Sequence, residues 1–416
     1  MRIDLKSRRA PVIGLALLLV TSPAFSQDAS ACGSADWFAV RLAQAHGKVL
    51  SALCKGEMDA AEDHRQRAET ELNEVIKATP HSDDAYAARS ALLHFYLRIG
   101  RFHDAGAQIE AMREAKPKAP DLANVRSLFA LLAAHPDMTV NGDQGESVRS
   151  QIIGGNVFAP ITVNGAARSY MLDTGLDLSL MSELEAKRLG LKPESSTTRI
   201  SDISGLVGAE VRVVVVDELT VGAIHLQHVP FLVVADTNGA FVGIPPDQHG
   251  VLGIQPLAAL GRLSFEANGM LGIRRGMNGK DETVATTEPL LFVGTTPITR
   301  IVYQGRTLPV TFDTGATQTT LNPPFAKAFP EVVRSGQSQN HDMNGLSGTT
   351  VQKSVSVARL SLEFGRKVEL APATILLDQT TSTSAWAGAN LGFDLMQQAR
   401  PFAVDFRQMK IEFPAR

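Results

Sequence analysis

Apolar positions change their period along the chain. Between Asp36 and His135 they recur every three or four residues, as at Ala88, Leu92, Phe95, Tyr96 and Ile99, one face of a helix. Gly100 stops that helix. A second runs from Phe102 through Ile109 and Met112 to Ala115, and Pro117 and Pro120 punctuate before a third, Asp121–Ala134, capped by Asp121. Around Pro136–Glu146 the pattern breaks at Asn141-Gly142-Asp143, a linker. Beyond it, short runs of Val, Ile, Thr and Leu are separated by Gly and Asn turns, which predicts strands. A second polar break, from Arg274-Arg275-Gly276 to Glu288, divides this β region into two pieces of similar length. The expected organisation is a helical region over 27–136 and two all-β units over 145–275 and 286–416.

Residues 1–26 read as a targeting segment. Arg2, Lys6, Arg8 and Arg9 precede an apolar run from Val12 to Val20, and Ala24-Phe25-Ser26 offers a cleavage site before Gln27. Such a run is shorter than the roughly twenty residues a bilayer core needs. The expectation is export to the periplasm or the medium, with no membrane span left after cleavage. A lipid anchor through Cys32 is disfavoured, because that residue lies well beyond the apolar run.

The bulk numbers narrow the classes. With 416 residues, 44% hydrophobic and 20% charged, the chain suits a folded protein of two or three domains. Acidic residues number 43 against 40 basic ones, and no basic cluster accompanies aromatic residues, which argues against nucleic acid as a partner. The two cysteines, Cys32 and Cys54, suit one disulfide in an oxidising compartment, with two buried thiols as the alternative. No histidine stands beside either in a nucleophile motif. His46, His64, His81, His94 and His103 lack ligand spacing, and His225 and His228, three apart on a strand, face opposite sides. No metal and no cofactor is expected.

An internal repeat carries the most information. Asp173-Thr174-Gly175 recurs 140 residues on as Asp313-Thr314-Gly315. In the same frame Gly165 matches Gly305, Ser179 matches Thr319, and Asp202 matches Asp342. Gly205-Leu206 matches Gly345-Leu346, Gly208 matches Gly348, and Val211 matches Val351. One residue out of step, Val251-Leu252-Gly253 matches Asn390-Leu391-Gly392. A lone Asp-Thr-Gly is an ordinary turn; two within one aligned pattern mark a duplicated β unit.

Each half resembles a protomer of the retropepsin-like aspartic peptidases. Apolar residues lead into the triplet (Tyr170-Met171-Leu172 and Val310-Thr311-Phe312), a hydroxyl residue follows, a Gly-rich hairpin comes next, and an apolar pair with Gly closes the pattern. The resemblance covers roughly 145–416 and implies two acid-protease lobes related by a pseudo-twofold axis, with the helical region outside. It implies Asp173 and Asp313 as the catalytic pair, supported by Thr174, Gly175, Thr314 and Gly315. The hairpin residues Gly205, Leu206, Gly208, Gly345, Leu346 and Gly348 would close over a polypeptide substrate. Two carboxylates a few ångström apart cannot both ionise cheaply, so they share a proton and supply both the base for water and the acid for the carbonyl oxygen. Thr174 and Thr314 would bond across the axis. Asp202 and Asp342 would brace the hairpin bases, and Trp386 would either line the cleft or pack.

One departure stands out. Leu176 follows the first triplet where a small or hydroxyl residue is usual, with Asp177 beside it, and Ala316 follows the second. A leucine crowding the carboxyls leaves a non-catalytic peptide-binding protein as the rival reading. The helix-turn-helix around Gly100 and Ala105 resembles a tetratricopeptide repeat, which implies a protein partner for the helical region, as a recruiting or an inhibitory element.

Overall fold

The computed structural model describes residues 50–116, 120–142, 145–201, 207–237, 241, 244–276, 284–345, 348–378 and 383–415. The expected signal segment, Cys32, Asp202, Gly205, Leu206 and Leu346 lie outside them. The described chain begins with five helices: α1 (Ala52–Ala61), α2 (Arg65–Ala78), α3 (Asp83–Arg98), α4 (Phe102–Ala115) and α5 (Pro120–Ala133). Ser51 and Ser82 cap α1 and α3 by accepting from Cys54 N and Ala85 N. Gly100, at φ +76°, ends α3 in the conformation that glycine adopts without penalty. Helix α5 starts at Pro120, so Asp121 lies within its first turn and is not the cap the sequence suggested.

The β region forms three sheets. One, of nine strands, belongs to the first half and another, of ten, to the second. They repeat one local plan. In the first half, strand Ala166–Leu172 lies parallel to Gly250–Leu252, with Met171 opposite Val251. In the second, Arg306–Phe312 lies parallel to Ala389–Leu391, with Thr311 opposite Asn390. In each long strand the last three residues, Tyr170-Met171-Leu172 and Val310-Thr311-Phe312, are buried, and these lead into the triplets.

The third sheet was not expected. Its order is Val284–Pro289, Lys410–Pro414, Phe402–Asp405, Arg262–Phe265, Met270–Arg274, Glu146–Arg149, three strands from each half. The seam is an antiparallel pair in which Leu263 faces Val404 and Phe265 faces Phe402, whose rings stack at 4.9 Å. Both expected linkers therefore contain strands. Thr139–Asn141 pairs with Ile224–Val234, and Val284–Pro289 occupies the second polar break. Glu288, at the end of that polar break, is buried and bonded to Arg300.

The helices do not stand apart from the β region. Their apolar faces share one core with Leu176, Leu178, Leu180, Val211, Val213, Leu232 and Phe241 of the first half. Helix α5 also covers the edge strand Glu194–Ser201: Asn124 accepts from Arg199 N at 2.9 Å and donates to Arg199 O at 2.8 Å, and the Ser127 hydroxyl lies 2.8 Å from that of Ser196. An uncovered edge strand invites pairing with other chains, and here a helix closes it. The second half is reached through Arg98, only 2% exposed, which donates to Ala60 O and Gly294 O, pairs with Asp63 and lies 4.0 Å over the Phe292 ring. Trp386 packs with Cys54, Met58, Leu291 and Ile298 between α1 and the second half, which decides its role in favour of packing.

Candidate active site

Each aspartate leaves the centre of its sheet at an equivalent point. Asp173 N–H donates to Leu252 O at 2.9 Å and Asp313 N–H to Leu391 O at 3.1 Å, so the neighbouring parallel strand fixes the start of each triplet. The loop after the triplet is fixed as well: Ile254 N–H donates to Leu176 O at 2.9 Å, and Phe393 N–H to Ala316 O at 2.7 Å. Gly253 and Gly392 lie where these loops cross, and a Cβ there would come within 2.8 Å of Leu176 O or 2.5 Å of the Gln318 carbonyl carbon.

The triplets lock together. Thr174 N–H donates to Thr314 Oγ1, and Thr314 N–H to Thr174 Oγ1, each at 3.0 Å. The same hydroxyls donate outward, Thr174 to Phe312 O at 2.7 Å and Thr314 to Leu172 O at 2.8 Å. All four bonds are buried, where an unmade one would cost about 1–3 kcal/mol. Asn156 of the first half adds a bond to Gly315 O at 2.6 Å, and Thr295 of the second donates to Asp177.

The triplet glycines serve this approach. A Cβ on Gly175 would sit 2.7 Å from Asp313 Cγ, and one on Gly315 would meet the Asp173 carboxyl more closely still. Neither has a positive φ. Each is glycine because the opposite half's carboxyl occupies the space of its side chain. Each also donates its N–H to its own aspartate, at 2.8 Å to Asp173 Oδ1 and 3.0 Å to Asp313 Oδ1.

The two carboxyls are nearly sealed, 0% and 1% exposed, and unequally bonded. Asp313 accepts from Gly315 N–H, from Ala316 N–H at 3.0 Å, and from Asn390 Nδ2 at 2.9 Å. Asp173 accepts from Gly175 alone, and its Oδ2, facing Gly315, has no hydrogen-bond partner. Burial and then the Asp313 charge push the Asp173 carboxyl well up, and Asp177 adds in the same direction. Burial raises Asp313 too, but its three donors pull it back. A proton shared by the pair therefore resides on Asp173, giving the orphan Oδ2 a hydrogen to donate.

Asp173, Asp313, Thr174, Gly175, Thr314 and Gly315 are thus brought to one point. Of the hairpin residues, Gly345 and Gly348 face one another at the end of the pair formed by Gln337–Gly345 and Gly348–Val357, and Gly208 lies in strand Val207–Val221. Asp342 is exposed in mid-strand opposite Val351. Leu176 points into the core shared with the helices, so its bulk is absorbed there. Cys54 is buried and is not a free thiol. Among the described residues no group of histidine, cysteine and acidic side chains could hold a metal, and no helix is long and apolar enough to cross a membrane. Asn390 was missed, although it stands where the aligned first half carries Val251.

Residues 159–255, which include Asp173, match the sequence model of a family described as aspartyl protease. No curated protein matches the chain. Among solved structures, the chain is similar to a retropepsin-like aspartic protease from Rickettsia conorii, at 14% identity over 33% of this chain and 91% of that one, with a TM-score of 0.23. It is also similar to an aspartic proteinase from Irpex lacteus, at 13% identity over 65% and 96%, with a TM-score of 0.34.

Proposed function

We propose that the chain is an aspartic endopeptidase in which two β lobes each supply one carboxylate of a water-activating pair. The supporting observation is the opposed, buried and unequally bonded carboxyls of Asp173 and Asp313. In this reading Asp313 takes a proton from a water that attacks the peptide carbonyl carbon, while Asp173 gives its proton to the carbonyl oxygen. The resulting gem-diol collapses as the proton on Asp313 passes to the leaving nitrogen and Asp173 recovers its own from a hydroxyl. One water is consumed and no covalent enzyme intermediate forms. The substrate is a polypeptide held under the two hairpins, the setting is the periplasm or the medium, and the helical region is the surface for a protein partner.

Both carboxylates belong to one chain, so cleavage of an unstructured polypeptide by the full chain should scale linearly with enzyme on dilution and be blocked by a pepstatin-type transition-state mimic. Activity that vanishes as a dimer dissociates would place the site between chains. Binding without cleavage anywhere between about pH 3 and 8 would favour the peptide-binding reading.

A pH prediction follows from Ala316. Its backbone N–H reaches Asp313, but its methyl offers no donor, and burial raises both carboxyls. The active form carries one proton. Its acid limit is the pH at which Asp313 also protonates, and its alkaline limit is the pH at which Asp173 deprotonates. A raised Asp173 carries the alkaline limit towards neutrality. Ala316→Ser adds a donor to charged Asp313, lowers its proton affinity, and should move the acid limb of the kcat/KM profile acid-ward by about one unit. A strongly acidic optimum that the hydroxyl leaves unmoved would refute this.

A further inference from the structure

We infer that Asn390 is a positioning residue that keeps the shared proton off Asp313, and that Thr311 aims its amide. This rests on the peptidase reading above and assigns which carboxyl is the base. Asn390 Nδ2 lies 2.9 Å from Asp313 Oδ2, and a carboxylate oxygen only accepts, so the amide must present its nitrogen there. The Thr311 hydroxyl donates its one hydrogen to the Asn390 amide oxygen at 2.5 Å, with Ala389 O a longer alternative acceptor at 3.3 Å, and this bond supports the amide in that sense. Thr311 and Asn390 are register partners on adjacent parallel strands, so the backbone sets the relay.

The other half contains the control. At the corresponding station Met171 faces Val251, two side chains with no hydrogen to donate, and the carboxyl beside them is the one with an orphan oxygen. A near-symmetric pair would leave the proton divided between two equivalent positions. Asn390 breaks that degeneracy by bonding the charged form of one member more strongly than its neutral form. The charged groups facing Asp313 are Asp173 and, behind it, Asp177, which Thr295 and the Gln255 amide hold in place. The protonated Asp173 carboxyl is itself a hydrogen-bond donor to Asp313, whereas Asn390 is the neutral side chain whose N–H meets Asp313 Oδ2.

The test compares Asn390→Val, Asn390→Asp and Thr311→Val in the full chain. Valine already occupies this station in the first half, so it suits the strand pairing. Two readouts are taken: the pH profile of kcat/KM on a polypeptide, and the pH titration of the 13C-labelled aspartate carboxyls by NMR, assigned with Asp313→Asn and needing no turnover. Asn390→Val should raise the Asp313 midpoint and the acid limb by about one pH unit. Asn390→Asp should raise them further. Thr311→Val, which leaves both carboxyls and the amide in place, should raise them by less. A midpoint unmoved in Asn390→Val and Thr311→Val overturns the inference, whether or not the chain cleaves. A shifted midpoint in a chain without turnover upholds the proton placement and refutes the peptidase reading. If Asn390→Val does not fold, Thr311→Val decides alone.

Discussion

Asp173→Asn and Asp313→Asn are each expected to lower kcat by at least about 10²–10⁴-fold, the usual contribution of a positioned acid or base. An amide neither carries the acidic proton nor accepts one from water, so either change removes one of the two roles. The variants should part company in stability. Asp173 Oδ2 is buried without a partner, and an amide nitrogen there becomes a permanent donor towards the second triplet, in place of a proton. Asp313 accepts from donors on both oxygens: Gly315 and Ala316 on Oδ1, Asn390 on Oδ2. Whichever way its replacement amide turns, a donor meets a donor. Asp313→Asn should therefore be less stable than Asp173→Asn by about 1–3 kcal/mol, the range for leaving a buried donor unsatisfied. Denaturant unfolding and initial rates on one polypeptide measure both effects. Near-normal turnover in either variant would refute the paired-carboxylate site, and equal stabilities would refute the unequal bonding.

Deleting the helical region should have an equally large effect, on folding. A chain beginning near Gly145 loses the cover over Leu176, Leu178, Leu180, Val211 and Val213, all buried in the core shared with the helices. Fully uncovering such a side chain costs about 1.5–3 kcal/mol. Several together approach the whole stability of a domain, about 5–15 kcal/mol. The truncated chain also frees the edge strand that Asn124 and Ser127 now cover. The expected result is an aggregating or partly unfolded product, read by circular dichroism and size exclusion. A soluble, β-rich and active truncation would show the helices to be a separable accessory. Asn124→Ala is a milder probe: it removes two backbone bonds from the strand entering the first hairpin and should mainly raise KM.

The sequence made the repeated triplets visible because their chemistry is local: an aspartate, a hydroxyl and a glycine in a fixed order. The docking of the helices was also written there, in a comparison of the two halves. Leu176, Leu178 and Leu180 of the first half stand where the second has Ala316, Gln318 and Thr320. Leucines at every second position mark a strand-like face in need of cover, and the polar set marks one without it. The bulk of Leu176, taken alone, suggested crowding at the carboxyls, because its direction depends on a region that no local pattern connects to it. The shared six-stranded sheet was hidden for a similar reason. Its strands are short, and Glu288 looks solvent-facing until Arg300 is seen against it. Asn390 was visible as a mismatch in an apolar motif, but its effect required Thr311 beside it and Asp313 in front of it.

That shared sheet bears on the order in which the chain becomes functional during synthesis. Strand Arg262–Phe265 precedes its seam partner Phe402–Asp405 by about 140 residues of chain, and that partner belongs to the last stretch of the sheet to be made. Until then strand Arg262–Phe265 has an open edge where Phe402–Asp405 will pair. If the chain is the peptidase proposed above, a nascent chain lacks a completed proton-sharing pair until that seam closes, which would spare its own unfolded segments from cleavage. A pro-segment provides such a delay by blocking a finished site; on the peptidase reading, the topology of this sheet would supply the delay instead, through the late arrival of the seam strands Phe402–Asp405 and Lys410–Pro414.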